Sequence, residues 1–160
     1  MFEDYKKIPC CAELKDGKIQ YYWYPKLEND DIAFDRALKR VEELLIKSIE
    51  GITSDKKIAI PLSGDIDSSL ILAICRKLYP DKKIYTYSTG FYGEDEFEYS
   101  RLVAKKNNSI HKEKVLYKED FIGENSLLKP LIEQKCEPLH PNKIALANIY
   151  IKWRKVTDVI

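Results

Sequence analysis

The reading turns on Ile58-Ala-Ile-Pro-Leu-Ser-Gly-Asp-Ile-Asp-Ser-Ser-Leu-Ile-Leu-Ala-Ile-Cys75. An apolar run, Ile58 to Leu62, meets the turn-prone Ser63-Gly64-Asp65, and apolar residues then recur at helical spacing: Leu70, Ile71, Ile74 and Leu78. That order predicts a buried strand over 58–62, a tight turn and a helix starting near Asp67. A helix start leaves backbone N–H groups without partners and carries the positive end of the macrodipole, so it suits phosphate. Ser63, Ser68 and Ser69 add hydroxyls at the same point. A serine-rich helix cap is the bland alternative.

Neither Gly-x-x-x-x-Gly-Lys-Ser/Thr nor Gly-x-Gly-x-x-Gly fits this turn, which excludes the two commonest nucleotide fingerprints. Ser63-Gly64-Asp65-Ile66-Asp67-Ser68-Ser69 instead resembles the Ser-Gly-Gly-x-Asp-Ser signature of the pyrophosphate-loop ATP pyrophosphatases. With Leu62 and the doubled serine, it is most similar to the synthetase domain of glutamine-dependent asparagine synthetases. Two further segments follow in the family's order: Tyr87 to Ala104, with Thr89-Gly90 at a strand end, and Glu133 to Ala147 around Glu137-Pro138. Two positions depart from the pattern. Asp65 stands where the family has its second glycine, and Cys136 stands where it has an aspartate.

The resemblance implies ATP and Mg2+ as cofactors and adenylation of a small-molecule carboxylate, followed by displacement with ammonia or an amine. It implies that Ser63, Gly64, Asp65, Ser68 and Ser69 line the pyrophosphate site and that Asp67 holds the metal. It also implies that backbone groups of Leu62, Thr89 and Gly90 lie against adenine. No general acid, base or nucleophile is assigned. Other readings are a non-catalytic nucleotide-binding or scaffold module, which the two departures favour, and a pyrophosphate-loop enzyme acting on tRNA or sulfur.

Around this centre, Asp16-Gly17 predicts a hairpin pairing Ile8–Leu14 with Lys18–Tyr24. Cys10 and Cys11 would then point to opposite faces of a strand. A long helix should follow, capped by Asn29 or Asp30, with Phe34, Leu38, Val41, Leu45 and Ile49 on one face and Gly51 past its end. Strands are expected at Ile84–Thr89 and Ile110–Leu116, with a helix from Asp95 to Asn107 using Phe97, Leu102 and Val103. The alternation predicts an α/β fold: a doubly wound parallel sheet with helices on both faces, preceded by the hairpin and long helix. Residues 1–28 form the linker and 29–160 the ATP-binding domain, with Val156–Ile160 as a further strand. Ligand belongs at the carboxyl ends of the strands.

Composition narrows the rest. The 160 residues are 44% hydrophobic and 33% charged, as in globular proteins, and the net charge of +1 argues against a non-specific nucleic-acid binder. No run approaches a membrane span and no signal peptide opens the chain, so a cytoplasmic location is expected. Four cysteines without a Cys-x-x-Cys pair, and two histidines, give no structural zinc pattern. His140 reads as a turn residue. The resemblance runs over about residues 8–160, without the family's later acidic loop and helices. A poor catalyst is expected, one that self-associates or takes ammonia from a partner.

Overall fold

The computed structural model describes residues 7–26, 31–53, 57–93, 97–124, 126–135 and 139–153. The expected helix cap at Asn29 or Asp30, the acidic residues 94–96, Cys136, Glu137 and the expected strand Val156–Ile160 lie outside the described residues. The sheet at the centre is parallel, ordered β3-β4-β5, with β3 at Ile58–Pro61, β4 at Ile84–Phe91 and β5 at Ile110–Leu116. Ile58 pairs with Ile84 and Pro61 with Tyr87, while Tyr85 pairs with Ile110 and Phe91 with Leu116. Parallel strands need long crossovers. Helix α2 (Ile66–Leu78) makes the first and α3 (Phe97–Lys106) the second.

Strand alternation sends successive side chains to opposite faces. Thr86 points to the α3 side, where it meets His111, and Lys114 points the other way, to Asn148 of α6 (Pro141–Trp153). Helices therefore cover both faces, as the alternating pattern predicts. Under α2 the core is Ile58, Ile60, Leu62, Leu72, Cys75, Ile84 and Ala104. Burial there pushes the Cys75 thiol pKa up, so this cysteine behaves as an apolar filler.

Which face of each helix is buried differs in part from the apolar pattern. In α2, Leu72, Ile74 and Cys75 are buried, while Leu70 and Ile71 are exposed. The sheet takes the side carrying Leu72 and Cys75, one turn apart. In α3 the buried positions are Phe97, Ser100 and Ala104, and Leu102 is 65% exposed. Small residues are used where helix and sheet approach closely.

The amino-terminal elements are shorter or longer than expected. The hairpin comprises β1 (Ala12–Lys15) and β2 (Lys18–Tyr21). Asp16 and Gly17 both have positive φ, 51° and 72°, the requirement of a two-residue type I′ turn. Cys10 and Cys11 lie in a turn and not in a strand: Cys11 has φ 59°, which ends the extended backbone there. Helix α1 (Phe34–Thr53) runs through Gly51, which is an interior residue and not a terminator. Its stripe is covered only near its end. Leu45 and Ile49 are half-buried, whereas Phe34 remains 78% exposed.

At the amino-terminal end of the sheet, one side chain binds two turns. Arg76 donates through Nε to Asn107 O (2.8 Å) and through Nη2 to Asn108 O (2.8 Å). Its Nη1 donates to the carbonyls of Tyr79, Pro80 and Lys82, at 3.1, 2.7 and 2.9 Å. The turn after α2 is thus fastened to the turn after α3.

Candidate functional site

The site begins where β3 runs out of partners. Leu62, 2% exposed, donates its N–H to Tyr87 O (2.7 Å), and the buried Ser88 hydroxyl donates to Leu62 O. The chain then turns at Gly64 with φ 96°. A Cβ there would come within 2.7 Å of both Ser100 N and Tyr99 Cβ on α3. Glycine is required at this point twice over, by backbone sign and by contact. Asp65 follows as the residue before α2, at φ −72° and ψ 173°, with no side-chain cap. The left-handed geometry that aspartate tolerates is therefore not used at Asp65; Gly64 supplies the positive φ. An aspartate in this extended backbone carries no conformational strain.

The hydroxyls sort into two kinds. Ser63 and Ser68 hold one another, with Oγ···Oγ at 3.0 Å. Ser63 N–H also donates to Ser68 Oγ (3.2 Å), and Asp65 N–H donates to Ser63 Oγ (3.2 Å). These bonds brace the turn in a fixed shape. Ser69 Oγ, by contrast, is buried with no hydrogen-bond partner among the described residues. Asp67 lies exposed in the first turn of α2, beside N–H groups that have no acceptor in their own helix.

Next to the turn, a cavity of about 280 Å3 opens at the carboxyl ends of β3 and β4, beneath α6. Leu62, Ser63, Tyr87, Thr89 and Phe91 form its floor, and Asn142, Ala145, Leu146 and Ile149 its roof. Its walls are mostly apolar, and burial holds the Tyr87 phenol pKa above its ordinary value. The roof is fastened by Lys114, which donates to Asp120 (2.9 Å), in the short helix α4 (Lys118–Ile122), and to Asn148 (3.1 Å).

The structure thus brings Leu62, Ser63, Gly64, Asp65, Asp67, Ser68 and Ser69 together at one strand–helix junction, with Thr89 at the end of the neighbouring strand. Gly90 is buried within β4, paired with Val115, and does not line the cavity. His140, expected in a turn, lies in irregular backbone just before α6 and accepts N–H groups of the helix start. Its Nδ1 accepts Asn142 N–H (3.3 Å) and its carbonyl accepts Lys143 N–H (2.9 Å) at the start of α6. Among the described residues no group of three or more His, Cys, Asp and Glu side chains could enclose a metal.

Sequence reasoning missed three contributors. Tyr99 and Ser100 seat the Gly64 turn, and no local pattern marks them, because the contact joins two crossovers. Asn142 in the roof went unnoticed because α6 also carries Lys143, Asn148 and Lys152, and nothing local singles it out.

Behind the seat lies a buried polar set. His111 Nδ1 meets Thr86 Oγ1 at 2.9 Å, and Nε2 faces Ser100 Oγ and Glu113 Oε1, each at 3.4 Å. Ser100 Oγ donates to Phe97 O (3.0 Å), so towards His111 Nε2 it acts as an acceptor, while Thr86 Oγ1 is shared between His111 Nδ1 and Ser109 Oγ, each at 2.9 Å. Burial lowers the His111 pKa and outweighs the opposing pull of Glu113. Arg101 grips Glu113 through two bonds of 2.7 Å and is the main reason its carboxyl pKa is lowered.

The fold and turn define a class: a parallel α/β domain whose sheet opens on a strand–turn–helix junction. Residues 40–155 match the sequence model of the Asparagine synthase family, and the chain belongs to that family. It is also similar to a Methanocaldococcus jannaschii protein named "Putative asparagine synthetase (glutamine-hydrolyzing) 2". The two are 29% identical over 114 residues, which cover 68% of this chain and 22% of that relative. The chain thus spans less than a quarter of the length of the curated relative it matches.

Proposed function

We propose that this domain binds ATP across the cavity and the Ser63–Ser69 turn, and adenylates a carboxylate for amide formation. The observation that carries this reading is the Gly64 turn: it is fixed in shape, and it leaves first-turn N–H groups of α2 uncommitted next to a mostly apolar cavity of nucleoside size that Leu62, Ser63 and Thr89 line. Adenine fits between the Leu62–Thr89 strand ends and the α6 roof. The first-turn N–H groups of α2, with Gly64 N–H, hold the β and γ phosphates. Asp67 would hold Mg2+, an ion that prefers oxygen ligands. When bound, the metal neutralises charge on the departing pyrophosphate.

The residues act mainly by positioning. A carboxylate oxygen attacks the α phosphorus, the bond to the bridging oxygen breaks, and pyrophosphate leaves with that electron pair held by the N–H groups of the turn. An amine then attacks the activated carbonyl carbon and AMP departs. The nitrogen comes from free ammonia, an amine or a partner that supplies it. The reading also includes a cytoplasmic setting; no helix among the described residues is long and apolar enough to cross a membrane.

Calorimetric titration with ATP and Mg2+, paired with pyrophosphate release in the presence of aspartate and ammonia, tests the proposal. Binding with release supports it. Binding without release for any carboxylate supports instead a nucleotide-binding module, and Asp67→Asn with unchanged magnesium-dependent affinity removes Asp67 from the metal role.

A further inference from the structure

We propose that Asn142 selects the base of the nucleotide, reading the N6/N7 edge of adenine with its side-chain amide. This inference rests on the nucleotide reading above and adds the group that gives it specificity. The cavity is a slot between sheet and helix, with apolar side chains such as Leu62, Leu146 and Ile149 on its walls. Such walls accept any planar ring and discriminate none. Selectivity has to come from the few polar groups that line the slot.

Most of those are already engaged. The Ser63 hydroxyl is held with Ser68, and the Ser88 hydroxyl is donated to Leu62 O. The Leu62 N–H is spent on Tyr87 O. Thr89 offers its strand-end backbone, which the family resemblance sets against adenine, and one hydroxyl, which donates or accepts as required and so tells purines apart poorly. Asn142 is different. Its side chain lines the cavity, and its amide presents a donor and an acceptor in one plane. Its backbone N–H is held by His140 Nδ1 at 3.3 Å, which fixes where the side chain starts. Lys114 fastens the same helix to the sheet one turn and more beyond, through Asn148.

A side-chain amide matches adenine at N6 and N7: its oxygen accepts from the 6-amino group and its NH2 donates to N7. A 6-oxo purine offers two acceptors on that edge, so the amide can satisfy only one and its own oxygen faces O6. Replacing N7 by CH removes the other half of the pairing. The amide then pairs with one atom of the base edge instead of two, and that loss is the discrimination.

The test is competition binding of ATP, ITP and 7-deaza-ATP, each with Mg2+, to the wild-type chain and to Asn142→Leu and Asn142→Ala. Asn142 is exposed at the first turn of α6, and circular dichroism checks that both variants fold. The wild type is expected to favour ATP over each analogue by about tenfold, the scale of one bidentate amide–base pair. Both variants should bring each ratio to within about twofold of unity, chiefly by weakening ATP. Wild-type binding without preference, or a preference that survives both variants, overturns the role of Asn142 and leaves the nucleotide site standing. Absence of ATP binding to the folded wild type overturns both.

Discussion

Gly64 shows how one residue ties the turn to the rest of the sheet. Its φ of 96° and its contact with Tyr99 and Ser100 make any side chain costly there. Gly64→Ala is expected to lower stability by about 1–3 kcal/mol, read as the urea midpoint, because both strain and a backbone collision must be absorbed. An unchanged midpoint would mean that the turn yields easily and is no fixed cradle. At the next position the expectation runs the other way. Asp65 is extended and exposed, so its carboxylate acts through charge, and Asp65→Gly should tighten ATP binding by removing a negative group near phosphate. Weaker binding in that variant would make Asp65 a ligand or a necessary start to the helix. The grouping of Ser63 to Ser69 was legible in the sequence, because strand, turn and helix follow one another locally. Which hydroxyl is spent and which is left over was not: that depends on side-chain directions within the folded turn.

At the scale of elements, two polar hubs hold the crossovers in place. Arg76 donates to five carbonyls from two turns, a reach that only a planar guanidinium has. Arg76→Ala should cost at least about 2 kcal/mol in a denaturant melt, and Arg76→Lys should recover only part of that, since an ammonium is a single point of donation. A lysine variant as stable as wild type would contradict the clamp. The second hub seats α3 through His111. Its folded pKa lies below the ordinary 6.5, so the unfolded chain binds more protons between the two values. The stability this contributes is complete above 6.5 and is lost as pH falls through the lowered folded value. Glu113 has the same sign in a lower range, full above 4.5 and lost as pH falls through its own lowered value. Urea midpoints between pH 7.5 and 5.5 should therefore fall with acidification, and His111→Gln should flatten the slope. A variant with the wild-type slope would place the titration elsewhere. Periodicity placed all three parallel strands and both crossover helices in the sequence. It misjudged which helix faces are covered, as at Leu70 and Leu102, because it registers apolar residues without knowing how closely a helix approaches the sheet.

For the whole molecule, the carboxyl edge of the sheet is where the parts converge. The Gly64 turn, the end of β4 and the α6 roof come from three separated stretches of chain, and parallel topology directs the first two to the same edge. The roof was the least legible part. Helix α6 is apolar on most sides, and only its packing over β4 shows that Asn142 faces the cavity. Membership of the asparagine synthase family fits this layout, and the central claim is that nucleotide occupies this edge and nowhere else. The direct measurement is a map of backbone amide chemical-shift changes on titrating the folded chain with ATP and Mg2+. The account predicts saturable changes concentrated at residues 62–69, 89–91 and 142–149. No saturable change there, or changes confined to the hairpin and α1, would contradict it.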